Sequence, residues 1–200
     1  MMPASPPAVV VATGDALVVV DVQNDFLPGG ALAVPKGDAA VPALNRYLSW
    51  WRDKGLPVYA TRDWHPAEHC SFRAHGGPWP VHCVAGTRGA EFAPSLDLPN
   101  DAIVISKGAS RERDAYSGFD GTDLHERLRR AGIRRVFVGG LATDYCVLAT
   151  VKDALRLGYA VYVLGDAIQA VNVRRDDGAK AEAEMARAGA VNIRYEQIGS

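Results

Sequence analysis

The stretch VFVGGLATDYCVLATVKDALRLGYAVYVL, residues 136–164, decides the architecture. Val136–Gly139 is a short apolar run, Cys146–Leu157 carries apolar residues at helical spacing up to Gly158, and Tyr159–Leu164 is apolar and β-rich again. Strand, helix and strand in that succession predict a crossover between parallel strands. The pattern repeats outward. Ala16–Val22 is a continuous β-branched run, followed by a helical stretch over Val41–Lys54 that stops at Gly55. Pro57–Thr61 and Ala102–Ser106 are the next two short strands, and Thr122–Ala131 is a helix closed by Gly132. A last helix over Gly178–Ala188 leads into a short strand at Val191–Arg194. This alternation predicts a three-layer α/β/α sandwich around a mostly parallel sheet of about six strands, covered on both faces. With 200 residues, 48% hydrophobic and 22% charged, a single domain over residues 16–200 is expected, preceded by a flexible tail over residues 1–15.

Composition narrows the function. The formal net charge is −1 and no long basic run occurs, so no electrostatic footprint for nucleic acid is expected. Arg127, Arg129, Arg130, Arg134 and Arg135 cluster, which reads as a solvated helix end and loop. No apolar run approaches the ~20 residues that a membrane span needs. The N-terminal residues lack a basic segment ahead of an apolar one, so no signal peptide is read there. Cys70, Cys83 and Cys146 cannot all pair, and free thiols in the cytoplasm are expected.

One segment breaks the alternation. Between Asp63 and Pro99 the chain is rich in Pro, Gly, His, Trp and Cys but has no periodic element. A long irregular loop inside a compact α/β domain is usually functional. In open parallel sheets the ligand site lies beyond the carboxyl ends of the strands. Four such ends carry reactive groups: Asp21, Asp63, Lys107 and Cys146. Cys146 opens the helix after the fourth strand, where unpaired N–H groups and the helix dipole favour a thiolate and can stabilise an oxyanion. Asp21 interrupts an apolar strand and needs a partner, for which Lys107 is the candidate cation. Together the three form the acid/base, cation and nucleophile that acyl transfer requires. Asp63 and His65 fall on one side of an extended backbone, and His82 at the far end of the loop could complete a two-His, one-carboxylate metal set. His69 and His75 are weaker candidates and are left out of that set.

The ordered segments Val18–Phe26 (VVDVQNDF from Val19), Thr61–Pro66 (TRDWHP), Trp79–Val84 (WPVHCV), Ser106–Gly108 with Ala115–Phe119 (SKG, AYSGF) and Gly140–Val147 (GLATDYCV) carry a family resemblance. The sequence resembles the nicotinamidases of the isochorismatase-like cysteine hydrolases from about Ala16 to Val191. The resemblance implies a Rossmann-like strand order and a catalytic triad of Asp21, Lys107 and Cys146. It further implies Asp63, His65 and His82 as ligands of one divalent metal, with zinc favoured over iron or manganese. Backbone N–H groups of Ala142 and Cys146 would form the oxyanion hole beside a cis peptide between Leu141 and Ala142. Phe26, Trp79 and Tyr116 match positions around the substrate ring. The implied reaction is hydrolysis of nicotinamide to nicotinate and ammonia through a thioester, in NAD salvage, with pyrazinamide-like amides as possible further substrates and homo-oligomerisation left open. Two alternatives stand beside it: an amidohydrolase of the same superfamily for another small carboxamide or ureido compound, and a non-catalytic metal- or ligand-binding protein. The charged run Ala109–Asp114 departs from the pattern, in a lid-like position that could shift substrate preference.

Overall fold

The computed structural model describes residues 8–199. Its main sheet has six strands: β2 (Asp15–Val20), β3 (Val58–Asp63), β4 (Ile103–Lys107), β5 (Arg135–Leu141), β6 (Ala160–Gln169) and β7 (Val191–Ile193). They run in the order β4-β3-β2-β5-β6-β7, and every pairing is parallel. The chain enters at β2 in the middle, builds outward to β4, then returns to place β5 against the other side of β2. The strand order therefore reverses between β2 and β5, and a crevice opens beyond their carboxyl ends. Asp21 follows β2 and Cys146 follows β5, so the topology alone brings them together.

Alternation along β2 assigns the two faces. Leu17 and Val19 pack with Val41, Leu44, Leu48 and Trp51 of α1 (Ala40–Asp53). Ala16, Val18 and Val20 face the opposite layer, with Leu124 and Leu128 of α2 (Leu124–Arg130), Val151 and Ala154 of α3 (Leu148–Arg156) and Met185 of α4 (Asp177–Arg187). Both sets are almost wholly buried, as expected for strands sandwiched between helices.

Several boundaries differ from expectation. The tail expected over residues 1–15 lies partly outside the described residues; within them, regular pairing begins at Val9. Val9–Val10 forms β1, paired in parallel with β8 (Ile198–Gly199), and Arg135 Nη2 donates to Val10 O at 2.7 Å. Asp15 starts β2, accepts from Ala12 N at 2.7 Å and pairs with Arg135, Nε to Oδ1 at 2.6 Å. A two-residue strand has no period to detect, and its partner is at the far end of the chain. Strand β6 runs on to Gln169, past the expected end at Leu164, because a register shift between Val138 and Gly140 lets the pairing with β5 resume at Gly140. Cys146 does not open a regular helix. Thr143–Val147 forms one wider π turn, and α3 starts only at Leu148.

Candidate active site

Lys107 is the last residue of β4 and is buried to 1% exposure beneath the crevice. Its Nζ lies 2.9 Å from Asp21 Oδ2, 2.5 Å from Asp63 Oδ1, 3.2 Å from Ala115 O and 3.5 Å from Cys146 Sγ. Asp21 is fully buried in a left-handed conformation (φ 50°), and its Oδ1 accepts the Thr61 hydroxyl at 2.6 Å. Its Oδ2, although close to Lys107, makes no well-aligned hydrogen bond and remains available to a proton. Asp21, Asp63 and Cys146 each offer an atom within 4.8 Å of the others. The Lys107 ammonium touches all three, so it supplies the positive charge this cluster needs.

Burial sets the protonation states. It pushes the Asp21 carboxyl up, with Lys107 opposing and Asp63 adding to the rise. Burial likewise pushes the Cys146 thiol well up; Lys107 pulls it down, but Asp21 and Asp63 work against ionisation. Burial would lower Lys107, yet the two carboxylates hold its ammonium well above the ordinary lysine value. The regular helix N-terminus expected to favour a thiolate is replaced by a wider turn, and around Cys146 burial is the largest influence, favouring the neutral thiol beside the Asp21 carboxyl.

The second group of side chains lies on the other side of Lys107. The loop after β3 doubles back, His65 N donating to Cys83 O at 3.0 Å and Ala85 N to His65 O at 2.8 Å, which sets His82 beside His65. Asp63, His65 and His82 are all buried, and their ligand atoms lie within 4.8 Å of one another. His65 Nδ1 donates to Gly108 O and His82 Nδ1 to Pro80 O, each at 2.8 Å. With Nδ1 occupied, each imidazole keeps Nε2 as its free lone pair, and His65 Nε2 lies 3.6 Å from Asp63 Oδ2. Two imidazole nitrogens and one carboxylate suit a divalent ion such as zinc and leave positions for a ligand. Gly108 is required here: it adopts φ 61°, and a Cβ would lie 2.5 Å from His65 Cε1. His69 is buried but both its ring nitrogens are bonded elsewhere, and His75 is exposed in a short turn.

Above both groups is a pocket enclosing about 430 Å³ with its mouth. Phe26, Trp79 and Tyr116 line it together with Asp63, His82, Ala142 and Cys146, so the structure gathers the sequence-derived ring positions around the thiol. Trp79 Nε1 donates to Tyr116 OH at 3.0 Å across the mouth. The Leu141–Ala142 peptide is cis. The isochorismatase domain profile matches residues 15–197. The chain belongs to the isochorismatase family.

The similar proteins include nicotinamidases and a pyrazinamidase. A nicotinamidase of Escherichia coli (strain K12) is 43% identical over 196 residues, spanning 88% of this chain and 92% of that protein. The crystal structure of pyrazinamidase of Pyrococcus horikoshii in complex with zinc superposes with a TM-score of 0.88 at 49% identity, over 91% of this chain and 99% of that one. PnC1 from L. infantum in complex with nicotinate gives 0.89 at 39% identity, over 96% and 98%.

Several residues of this isochorismatase domain had no role assigned from sequence. Gln23 is fully buried and holds Asp63 by its backbone in both directions, Nε2 to Asp63 O and Asp63 N to Oε1, each 2.8 Å. Its place between Asp21 and Phe26 was the available signal. Tyr145, just before Cys146, meets Trp79 edge-on at 5.2 Å and completes the aromatic wall. Val171 reaches the pocket only because β6 is longer than expected, and no sequence pattern marks it.

Proposed function

We propose that this protein is a nicotinamidase, releasing ammonia from nicotinamide and leaving nicotinate. The observation that carries this reading is the 2.5 Å contact between Lys107 Nζ and Asp63 Oδ1, which makes one site of a thiol–base pair and a two-His, one-carboxylate set. A thiol with a base suits acyl transfer from many amides; a ring with a metal-binding nitrogen gives the second set its use.

The ring lies between Phe26, Trp79 and Tyr116, with its carboxamide over Cys146. Asp21 Oδ2 takes the thiol proton as Sγ attacks the carboxamide carbon. The oxyanion is held by the N–H groups of Ala142 and Cys146. Asp21 returns the proton to the nitrogen as the C–N bond breaks, ammonia leaves, and an acyl-Cys146 thioester remains. Water, giving its proton to Asp21, attacks the thioester; nicotinate departs and Cys146 regains its thiol. Lys107 stays charged throughout, neutralising Asp21 between proton transfers. Asp63, His65 and His82 would hold a divalent ion, zinc foremost, which when bound would supply a Lewis acid towards the pyridine nitrogen. The wall beside the ring is apolar and aromatic, so a pyrazine carboxamide fits the same reading.

Purified protein should release ammonia from nicotinamide, with Cys146→Ala reduced to background and chelator-treated protein strongly impaired. Wild-type release no faster than Cys146→Ala defeats the proposal. A panel of amides in which a ureido compound or another carboxamide is preferred by orders of magnitude redirects it to a different amidohydrolase.

A further inference from the structure

Of the three buried histidines, His69 is the one without a task in this mechanism. Its bonding is complete. Nε2 lies 3.1 Å from Arg113 O, and a carbonyl only accepts, so Nε2 carries the proton. Nδ1 is then the acceptor, facing Ser71 N at 3.3 Å and Ser71 Oγ at 2.7 Å. Neither nitrogen has a lone pair left for a metal. The ring is stacked on His65 at 4.1 Å and 22°.

What His69 holds lies on both sides of the pocket mouth. On one side is the charged run after Lys107, which has no regular structure before α2. Its ties to the His65–His82 loop are His65 Nδ1 to Gly108 O at 2.8 Å at its start, the Trp79–Tyr116 clasp at its end and, between them, Cys70 N to Arg111 O at 2.8 Å, the His69–Arg113 bond and an exposed Arg111–Glu68 pair at 3.0 Å. An ion pair between side chains that are both about 60% exposed holds little against solvent. On the other side, Ser71 O accepts from Trp79 N at 3.0 Å. Both partners of the Trp79–Tyr116 clasp thus lead back to one imidazole.

We infer that His69 is a positioning residue that fixes the Ala109–Tyr116 strap against the loop carrying His65, and through the strap sets how tightly Trp79 and Tyr116 close over the substrate ring. The inference rests on the nicotinamidase reading for its effect on KM. Its effect on the strap is independent of that reading. Arg111 and Arg113 are exposed and make trypsin a direct probe of strap opening.

The experiment compares zinc-reconstituted wild type, His69→Asn, His69→Gln and Tyr116→Phe by bound zinc, trypsin cleavage after Arg111 and Arg113, and steady-state kinetics on nicotinamide. Asn keeps an acceptor towards Ser71 and loses the donor to Arg113 O; Gln keeps the donor. Loss of one buried hydrogen bond amounts to about a 5-fold effect. His69→Asn should therefore be cleaved about 5-fold faster and show a KM raised about 5-fold, with kcat nearly constant and zinc content equal to wild type. His69→Gln should regain trypsin resistance, and Tyr116→Phe should raise KM with zinc retained. Zinc lost from His69→Asn makes His69 a metal ligand and overturns the inference. Unchanged cleavage and KM overturn it equally. Should His69→Asn fail to fold, His69→Gln and Tyr116→Phe decide: a cleavage rate in His69→Gln as high as in denatured chain, or a Tyr116→Phe KM equal to wild type, counts against it. Wild type without ammonia release defeats the nicotinamidase reading, while zinc content and cleavage still judge His69.

Discussion

At the scale of single residues the site depends on one cation shared by three acidic groups. Lys107 lies against Asp21, Asp63 and Cys146, and burial, with the two carboxylates adding to it, pushes the thiol up against the pull of Lys107. A thiol whose value is raised is neutral below that value, and towards a reagent that does not engage Asp21 as base it gains reactivity as pH climbs toward it. Iodoacetamide should therefore modify Cys146 slowly at neutral pH, with a rate still rising past the ordinary thiol value of about 8.5. Fast labelling with a plateau already at pH 6–7 indicates a resting thiolate and contradicts this account. Asp21, Lys107 and Cys146 could be found in the sequence because charged or nucleophilic groups at the ends of apolar runs stand out. Gln23 offered only its place between Asp21 and Phe26, and Thr61 only its place at a strand end, since their work is hydrogen bonding to a backbone and a carboxylate that only the folded chain brings near.

At the scale of elements, hydrophobic periodicity revealed which segments are strands and helices but not how they end. The long β6 follows from the irregular pairing of β5, where Gly139 and Gly140 let neighbouring backbone come close, and the π turn at Thr143–Val147 comes just after that strand. Gly140 adopts φ 122°, and a Cβ there would lie 2.1 Å from Val20 O. Neither the backbone angle nor β2 can yield without disturbing the β2–β5 seam. Gly140→Ala should destabilise the protein by roughly 3 kcal/mol or more, or prevent soluble expression. Gly121→Ala is the control: its φ is 69° with open space around it, so a cost of about 1–2 kcal/mol is expected. Equal urea midpoints for the two variants would show that the seam is not as tight as its geometry indicates.

At the scale of the whole molecule, the two ends of the chain meet at the amino edge of the sheet, opposite the site. β1 pairs with β8, and Arg135 ties Val10 and Asp15 to the start of β5. Among the described residues the clasp makes no hydrogen bond to a residue of the pocket wall, so its effect on the site should be small. Deleting residues 1–11 should lower stability by about 1–2 kcal/mol, from a few lost hydrogen bonds and the loss of Val11 from the core, while leaving kcat and KM for nicotinamide unchanged. A change in either kinetic constant would reveal coupling between the two edges.

The sheet order also governs how the protein comes into being. β2 sits between β3 and β5, with residues 15–20 paired to residues 135–140. During synthesis β2 and β3 leave the ribosome first, and one flank of β2 stays bare until β5 has followed. That flank is an apolar, unpaired edge, the kind of surface that invites intermolecular pairing. Asp21 and Cys146 meet only when the seam closes, so a stalled or shortened nascent chain presents a sticky strand and no chemistry. Chaperone dependence in this protein should track the delay before β5 emerges.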